Sequence, residues 1–257
     1  MKMMRYGLIL FFFSMQVCSC GKPKKLDHRV SLWRLDKIPY GTKYAYDHLS
    51  VIFPFADIRT SSRFPVFFPQ EDSKDTIRAL IILTPAFVPE PDEMNSLIRF
   101  AASGNQVFIS ARYFEDTVMD MLHLKLHRDT LNFTGDNGAD SSNLPDRPMK
   151  TERKTESGID SLSPSEVDIL NPASKEWKKY AYPGEFSAKY FDEMDTGHAR
   201  ILGRNHQGKP DFIRIAYAHG GALYIHLEPL AFSNFFLLHN DNKSYYCLLY
   251  TSPSPRD

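Results

Sequence analysis

Three features of the 257-residue chain predict an α/β fold with a mainly parallel sheet covered on both faces. Strand-like and helix-like patterns alternate with short links between Ala79 and Leu122, as parallel βα units require. The runs "LIIL" (80–83) and "VFI" (107–109) are apolar without alternation, as strands buried on both faces are. Toward the C-terminus, Gly220-Gly221 separates two further strand patterns and predicts a β-hairpin.

The elements follow in chain order. "MKMMRYGLILFFFSMQVCSC" has basic Lys2 and Arg5, then an apolar core from Gly7 to Val17 that is short for a spanning helix. Its end, Val17-Cys18-Ser19-Cys20, resembles a bacterial lipobox. That resemblance implies cleavage before Cys20 and acylation of Cys20, with residues 1–20 as a lipoprotein signal. The alternative is an uncleaved N-terminal anchor. Either route places the body in the cell envelope, facing the periplasm and held to a membrane. Residues 21–35 read as a membrane-proximal linker, with Lys22, Lys24 and Lys25 at the lipid surface.

The main domain is expected over 36–246. Pro39-Tyr40-Gly41 is a turn and Thr42 a helix N-cap. Ala45, Leu49 and Ile52 share a helical face that Pro54 ends. "ADIRTSS" and "FPVFF" read as short strands. A buried strand covers Ala79 to Leu83, with Thr84-Pro85 at its end. The following helix has Pro91 in its first turn and Asp92 and Glu93 at its positive end. Met94, Leu97, Ile98 and Ala101 form its apolar face, and Gly104 is its C-terminal glycine. "NQVFISA" is the next strand. Phe114, Val118, Met121 and Leu122 line the helix after it. From about 129 to 166 the chain turns polar and rich in Gly, Pro and Ser, an excursion from the core. "VDIL", "HARILGRN", "DFIRIAYAHG" and "GALYIHLEPL" read as strands, and "SNFFLLH" as a short helix. There are no internal repeats.

Composition narrows the function. Lys+Arg and Asp+Glu both number 31, so no basic excess points to nucleic acid. The cysteines are Cys18, Cys20 and Cys247, which leaves the body without a disulfide framework, a cysteine metal site or a cysteine nucleophile. The last eleven residues, "CLLYTSPSPRD" (247–257), resemble translated sequencing-adapter DNA. Tyr246 is therefore expected to be about the last native residue, and the native product to continue differently.

"KPKKLD", "LDKIPYGTKYAYDHLSVIFP", "LIILTPAFVPEPDEMNSLIRFAASGNQVFISA" and "GALYIHLEPLAFSNFFLL" together resemble the domain of unknown function 4350 family. "DKIPYG" and "PLAFSN" are the most specific parts. The resemblance implies a fold similar to class I glutamine amidotransferases, a flavodoxin-like three-layer sandwich. It also implies a membrane-associated protein of Bacteroidetes type, from a family whose genes often neighbour MoxR-type ATPases.

In amidotransferase-like folds the nucleophilic cysteine stands at a glycine-lined turn, roughly seven residues after the glycine that opens the central strand. Counting from Gly104 arrives at Ala111, followed by Arg112 and Tyr113, so the nucleophile position reads as empty. Ser110 is one residue early and is expected on the opposite face as a small polar strand residue. His123 and His127 have a metal-ligand spacing but sit in a strand-like pattern without an intervening carboxylate, and they read as exposed strand or loop residues. His198, His206 and His219 fall in loop-like surroundings, and "HGG" at 219–221 is assigned to the hairpin. His226 alternates with Tyr224 and Glu228 on one strand face, and a hydrogen-bonded pair at a sheet margin is expected there. No metal and no cofactor are expected.

Asp36 and Tyr40 flank the rigid turn. Thr84, Arg112 and Glu228 follow strands, where open α/β sheets bind ligands. These five form a candidate ligand crevice, against the alternative that Asp36 satisfies backbone donors and Tyr40 covers the core. The expected function is a non-enzymatic, lipid-anchored binding or scaffolding protein of an envelope assembly. The rivals are a hydrolase using Ser110, His226 and Glu228, and a small-molecule or glycan-binding module.

Overall fold

The computed structural model describes residues 27, 29–61, 77–127, 165–171, 173–182 and 189–251. The "FPVFF" segment, the lipobox and nearly all of the polar excursion lie outside these residues.

The first strand, β1 (Ala79–Phe87), is apolar over its first half and leads into helix α3 (Pro91–Ala102). Two short helices precede it, α1 (Lys43–Asp47) and α2 (Leu49–Ile52). Helix α3 starts at a reciprocal capping box between Glu90 and Glu93, with Pro91 in the first turn. It ends before Gly104, whose φ of +94° suits glycine alone. Strand β2 (Gln106–Phe114) follows, then α4 (Asp116–Met121) and β3 (Lys125–His127). After the undescribed stretch come β4 (Ser165–Leu170), β5 (Trp177–Tyr182), β6 (Tyr190–Glu193), β7 (Ala199–Asn205), β8 (Pro210–Ala216) and β9 (Ala222–His226). A 3-10 turn (Pro229–Phe232), α5 (Asn234–Leu237) and α6 (Lys243–Thr251) complete the described chain.

The main sheet has seven strands in the order β1-β2-β9-β8-β7-β4-β5, and β3 pairs with β6 in a separate ribbon. Only β1–β2 and β2–β9 are parallel. The other four pairings are antiparallel, so the sheet is mixed and the expectation of a mainly parallel sheet is corrected. The reason is the links. A parallel neighbour needs a long crossover, and α3 supplies one between β1 and β2. The links from β4 to β5 and from β7 to β8 are too short for a crossover, so each strand comes straight back. The β8–β9 hairpin at Ala218–Gly220 forms as expected.

The sheet divides two apolar clusters. On one face α3 and α4 cover Val107, Ile109, Ala111, Leu223 and Ile225 with Met94, Leu97, Ala101 and Val118. On the other, Phe108, Phe212 and Tyr224 meet Leu32, Ala45, Phe232, Phe236, Tyr245 and Tyr246 from the N-terminal segment and C-terminal helices.

Several local expectations change. Thr42 precedes α1, but its hydroxyl donates to the Leu32 carbonyl (3.0 Å) instead of capping the helix. The helix expected over Ala45–Ile52 is broken at His48. The described part of "ADIRTSS", 56–61, is not a strand. Ser165 and Glu166 belong to β4 rather than to the excursion. Helix α6 runs through the Tyr246–Cys247 junction, and Cys247 is exposed on it. Among the described residues no helix is long and apolar enough to cross a membrane.

Candidate functional site

The strand expected to end at Ala111 does not end there. Strand β2 continues to Phe114, because β1 continues beside it: Thr84 pairs with Ala111, Ala86 with Tyr113 and Phe87 with Phe114. Pro85 is tolerated since β1 is an edge strand of the sheet. Ala111 is fully buried under α3 and α4. The alternation of strand side chains puts Ser110 on the opposite face.

There Ser110 meets His226, its register partner in β9. Ser110 Oγ and His226 Nδ1 are 2.7 Å apart, and His226 Nε2 is 2.8 Å from the Tyr245 hydroxyl. One nitrogen of the neutral ring donates and the other accepts, so the three groups form a directional chain. The imidazole is walled by Phe108, Phe212 and Phe232, with ring centroids 6.1, 5.3 and 5.6 Å away. Ser110 and His226 are both 0% exposed. Burial pushes His226 down to about 3, so the ring is neutral at pH 7. Burial, and then the nearby carboxyls of Asp211 and Glu228, push the Tyr245 phenol well above its ordinary range. Asp211, itself 4% exposed, is raised well above the carboxylate range by burial and then by Glu228.

Such spacing lets a histidine take a serine proton, which is the first requirement of a hydroxyl nucleophile. The second is room for a reacting atom beside Oγ, and full burial denies it. Glu228, expected to extend the couple, lies beyond β9. Its carboxylate accepts from the Leu230 N–H (3.3 Å) at the head of the 3-10 turn. Tyr245, not a carboxylate, holds the far nitrogen of His226.

The five crevice candidates divide. Glu228 is buried, and Tyr40 and Arg112 are half-buried. All three act on the Tyr182 phenol, which is raised by burial first, then by its hydrogen bond with Tyr40 and by Glu228, and lowered by Arg112. Thr84 falls on the α3 face with its partner Ala111, and its hydroxyl donates to the Ala86 carbonyl (2.8 Å). Asp36 contributes its backbone: its carbonyl accepts from Asn234 Nδ2 at 2.9 Å. Asn234 Nδ2 also donates to the Ile38 carbonyl (2.7 Å), and its Oδ1 accepts from the Tyr44 N–H (2.8 Å). The Asn234 and Phe235 N–H groups donate to the carbonyls of Gly41 and Pro39. "DKIPYG" and "PLAFSN" are thus one clasp.

The remaining histidines stay apart. His127 stacks on Tyr190 (centroids 4.4 Å), His198 bonds Asp195 (2.8 Å), and His123 and His219 sit at positive φ. Among the described residues no three potential metal ligands converge. Reading the sequence missed Tyr182, Asp211, Asn234 and Tyr245. Asp211 alone left a visible signal, as an acid at the mouth of the apolar strand "DFIRI".

The family signature for a domain of unknown function, DUF4350, matches residues 36–246. The chain belongs to the DUF4350 family. No curated protein matches it. Among solved structures, the DUF4350 chain is similar to the exo-β-1,4-mannosidase Op5Man5 from Opitutaceae bacterium strain TAV5, at 12% identity and a TM-score of 0.38 over 70% of this chain. It is also similar to a β-galactosidase from Bacillus circulans sp. alkalophilus, at 10% identity and a TM-score of 0.36 over 71%. The chain spans 25% and 23% of the lengths of those two enzymes. Likeness at that level assigns neither a substrate nor a reaction.

Proposed function

We propose that this DUF4350 protein is a non-enzymatic, membrane-anchored envelope component that binds or scaffolds other parts of an assembly. Its domain is a degenerate relative of the amidotransferase-like, flavodoxin-like three-layer fold, with four antiparallel pairings added to a short parallel core. The observation that carries the reading is β2 passing straight through Ala111, with no thiol, no turn and no glycine-lined space. Acylated Cys20 holds the protein to the membrane, and a MoxR-type ATPase is the proposed partner system. Comparing palmitate-analogue labelling of the wild type with Cys20→Ala tests the anchor; equal labelling of both removes it.

One distance favours a second reading. The 2.7 Å contact between Ser110 and His226 has the geometry of a nucleophile with its base. A fluorophosphonate probe applied to the purified chain separates the two. The binding reading expects no label, and covalent modification that disappears in Ser110→Ala establishes a serine hydrolase instead.

A further inference from the structure

We infer that the N-terminal segment of the domain, around Trp33, lies directly on the bilayer. The inference rests on the proposal that the N-terminus is membrane-held, and it concerns how the folded body then sits.

Twelve large hydrophobic residues are exposed among the described residues, and six of them fall between Val30 and Ile58: Val30, Trp33, Leu35, Val51, Phe55 and Ile58. Phe55 is 100% exposed and Val51 71%. Half of these exposed apolar side chains therefore fall in the first described stretch of the chain. Isolated exposed apolar residues are ordinary, and what sets this segment apart is that six of the twelve fall within one short stretch of sequence.

The backbone that presents Trp33 is fixed. The Trp33 carbonyl accepts from both the Asp36 and Thr42 N–H groups, and Leu32 beside it is buried. Trp33 is thereby held outward, 52% exposed. The Arg34 guanidinium sits 4.6 Å from the Trp33 ring centroid and 5.8 Å from that of Tyr46, which joins the segment to α1. An indole with an arginine beside it suits the headgroup layer, where the ring takes the apolar edge and the cation meets phosphate. Reach is sufficient, because the roughly ten residues from Cys20 to Val30 span at most about 35 Å. Lys22, Lys24 and Lys25 lie in that span, and each is attracted by anionic lipid.

The chain has two tryptophans, Trp33 and Trp177, so Trp177→Phe makes the indole of Trp33 the sole reporter. The full chain carrying Trp177→Phe is reconstituted into phosphatidylethanolamine–phosphatidylglycerol vesicles with brominated acyl chains. Trp33 emission should shift to the blue and lose most of its intensity, and Leu35→Asp should restore it. Unquenched emission from vesicle-bound protein overturns the inference. Hydrogen exchange on the wild type is the second measurement. Slowing over 30–35 and 43–55 in vesicles relative to detergent supports lipid contact. Slowing only when other envelope proteins are added overturns it in favour of a protein partner. Failure of the acyl anchor is read separately, by Cys20→Ala labelling, since an uncleaved N-terminal anchor would hold the same segment to the vesicle.

Discussion

Asn234 gives the clasp its strength. Its 7%-exposed side chain makes three hydrogen bonds to backbone groups of the N-terminal segment. Asn234→Ala strands one part-buried donor and two part-buried acceptors, at a cost of about 3 kcal/mol in urea unfolding. Asn234→Asp should be no better, because a carboxylate oxygen would face the Asp36 and Ile38 carbonyls. His226 makes a second prediction, in pH. Its folded value of about 3 lies below the ordinary histidine value, so below pH 6.5 only the unfolded chain takes the proton. Its stabilisation is fully present above pH 6.5 and falls by up to about 1.4 kcal/mol per pH unit toward pH 3. Asp211 works in the opposite sense, since its raised value favours the fold as pH falls through it. The readout is therefore the difference between wild type and His226→Gln, which should shrink steadily from pH 6.5 to pH 4. Neither role was legible in sequence. Asn234 reads as part of a short helix, and its partner Asp36 is 198 positions away. His226 reads as one half of a hydrogen-bonded pair with Glu228 at a sheet margin, but its partners are Ser110 and Tyr245 in the core, because register across strands is invisible along one strand.

The elements were more legible where propensity and packing agree. Helix α3 is written in Pro91, Glu93, the apolar positions from Met94 to Ala101, and Gly104. Strand β2 was read too short because Arg112 and Tyr113 look like loop residues, and only the continued company of β1 keeps them extended. The Phe87 and Phe114 rings, 5.8 Å apart, close that end against the helical layer. Gly221 was read as a hairpin residue, yet its φ of −69° is open to any residue. What excludes a side chain there is contact, since a Cβ would overlap the Ala101 carbonyl at the end of α3. Gly221→Ala should therefore push α3 off the sheet and cost about 3 kcal/mol, measured as a lower urea midpoint. Ala218→Gly in the same hairpin, which adds no atom, should cost well under that.

For the whole molecule, the α/β class and the C-terminal hairpin followed from periodicity. The mixed sheet did not. Strand β5, "WKKYAY", alternates: Tyr180 and Tyr182 are buried on the face toward the C-terminal helices, and Trp177 and Lys179 are exposed on the other. The C-terminal helix closes the buried face. Tyr245 and Tyr246 are 2% and 3% exposed, and the Tyr246 hydroxyl donates to the Ala45 carbonyl at 2.8 Å. Ending the chain after Asn242 removes both rings from the core, a loss on the order of 5 kcal/mol that approaches the whole stability of a typical domain. That variant should be largely unfolded by near-ultraviolet circular dichroism. A chain ending after Cys247 should keep the native signal.

The order of strands in the main sheet also governs when it can assemble. Strand β9 fills the gap between β2 and β8, yet Ser110 and His226, which face each other there, are 116 positions apart. Closing so long a loop is entropically expensive, and sheets built from distant segments fold slowly. A growing chain that has passed β2 has no inner neighbour for that strand until β9 follows. The parallel part of the sheet is thereby completed only once nearly all of the described chain is available.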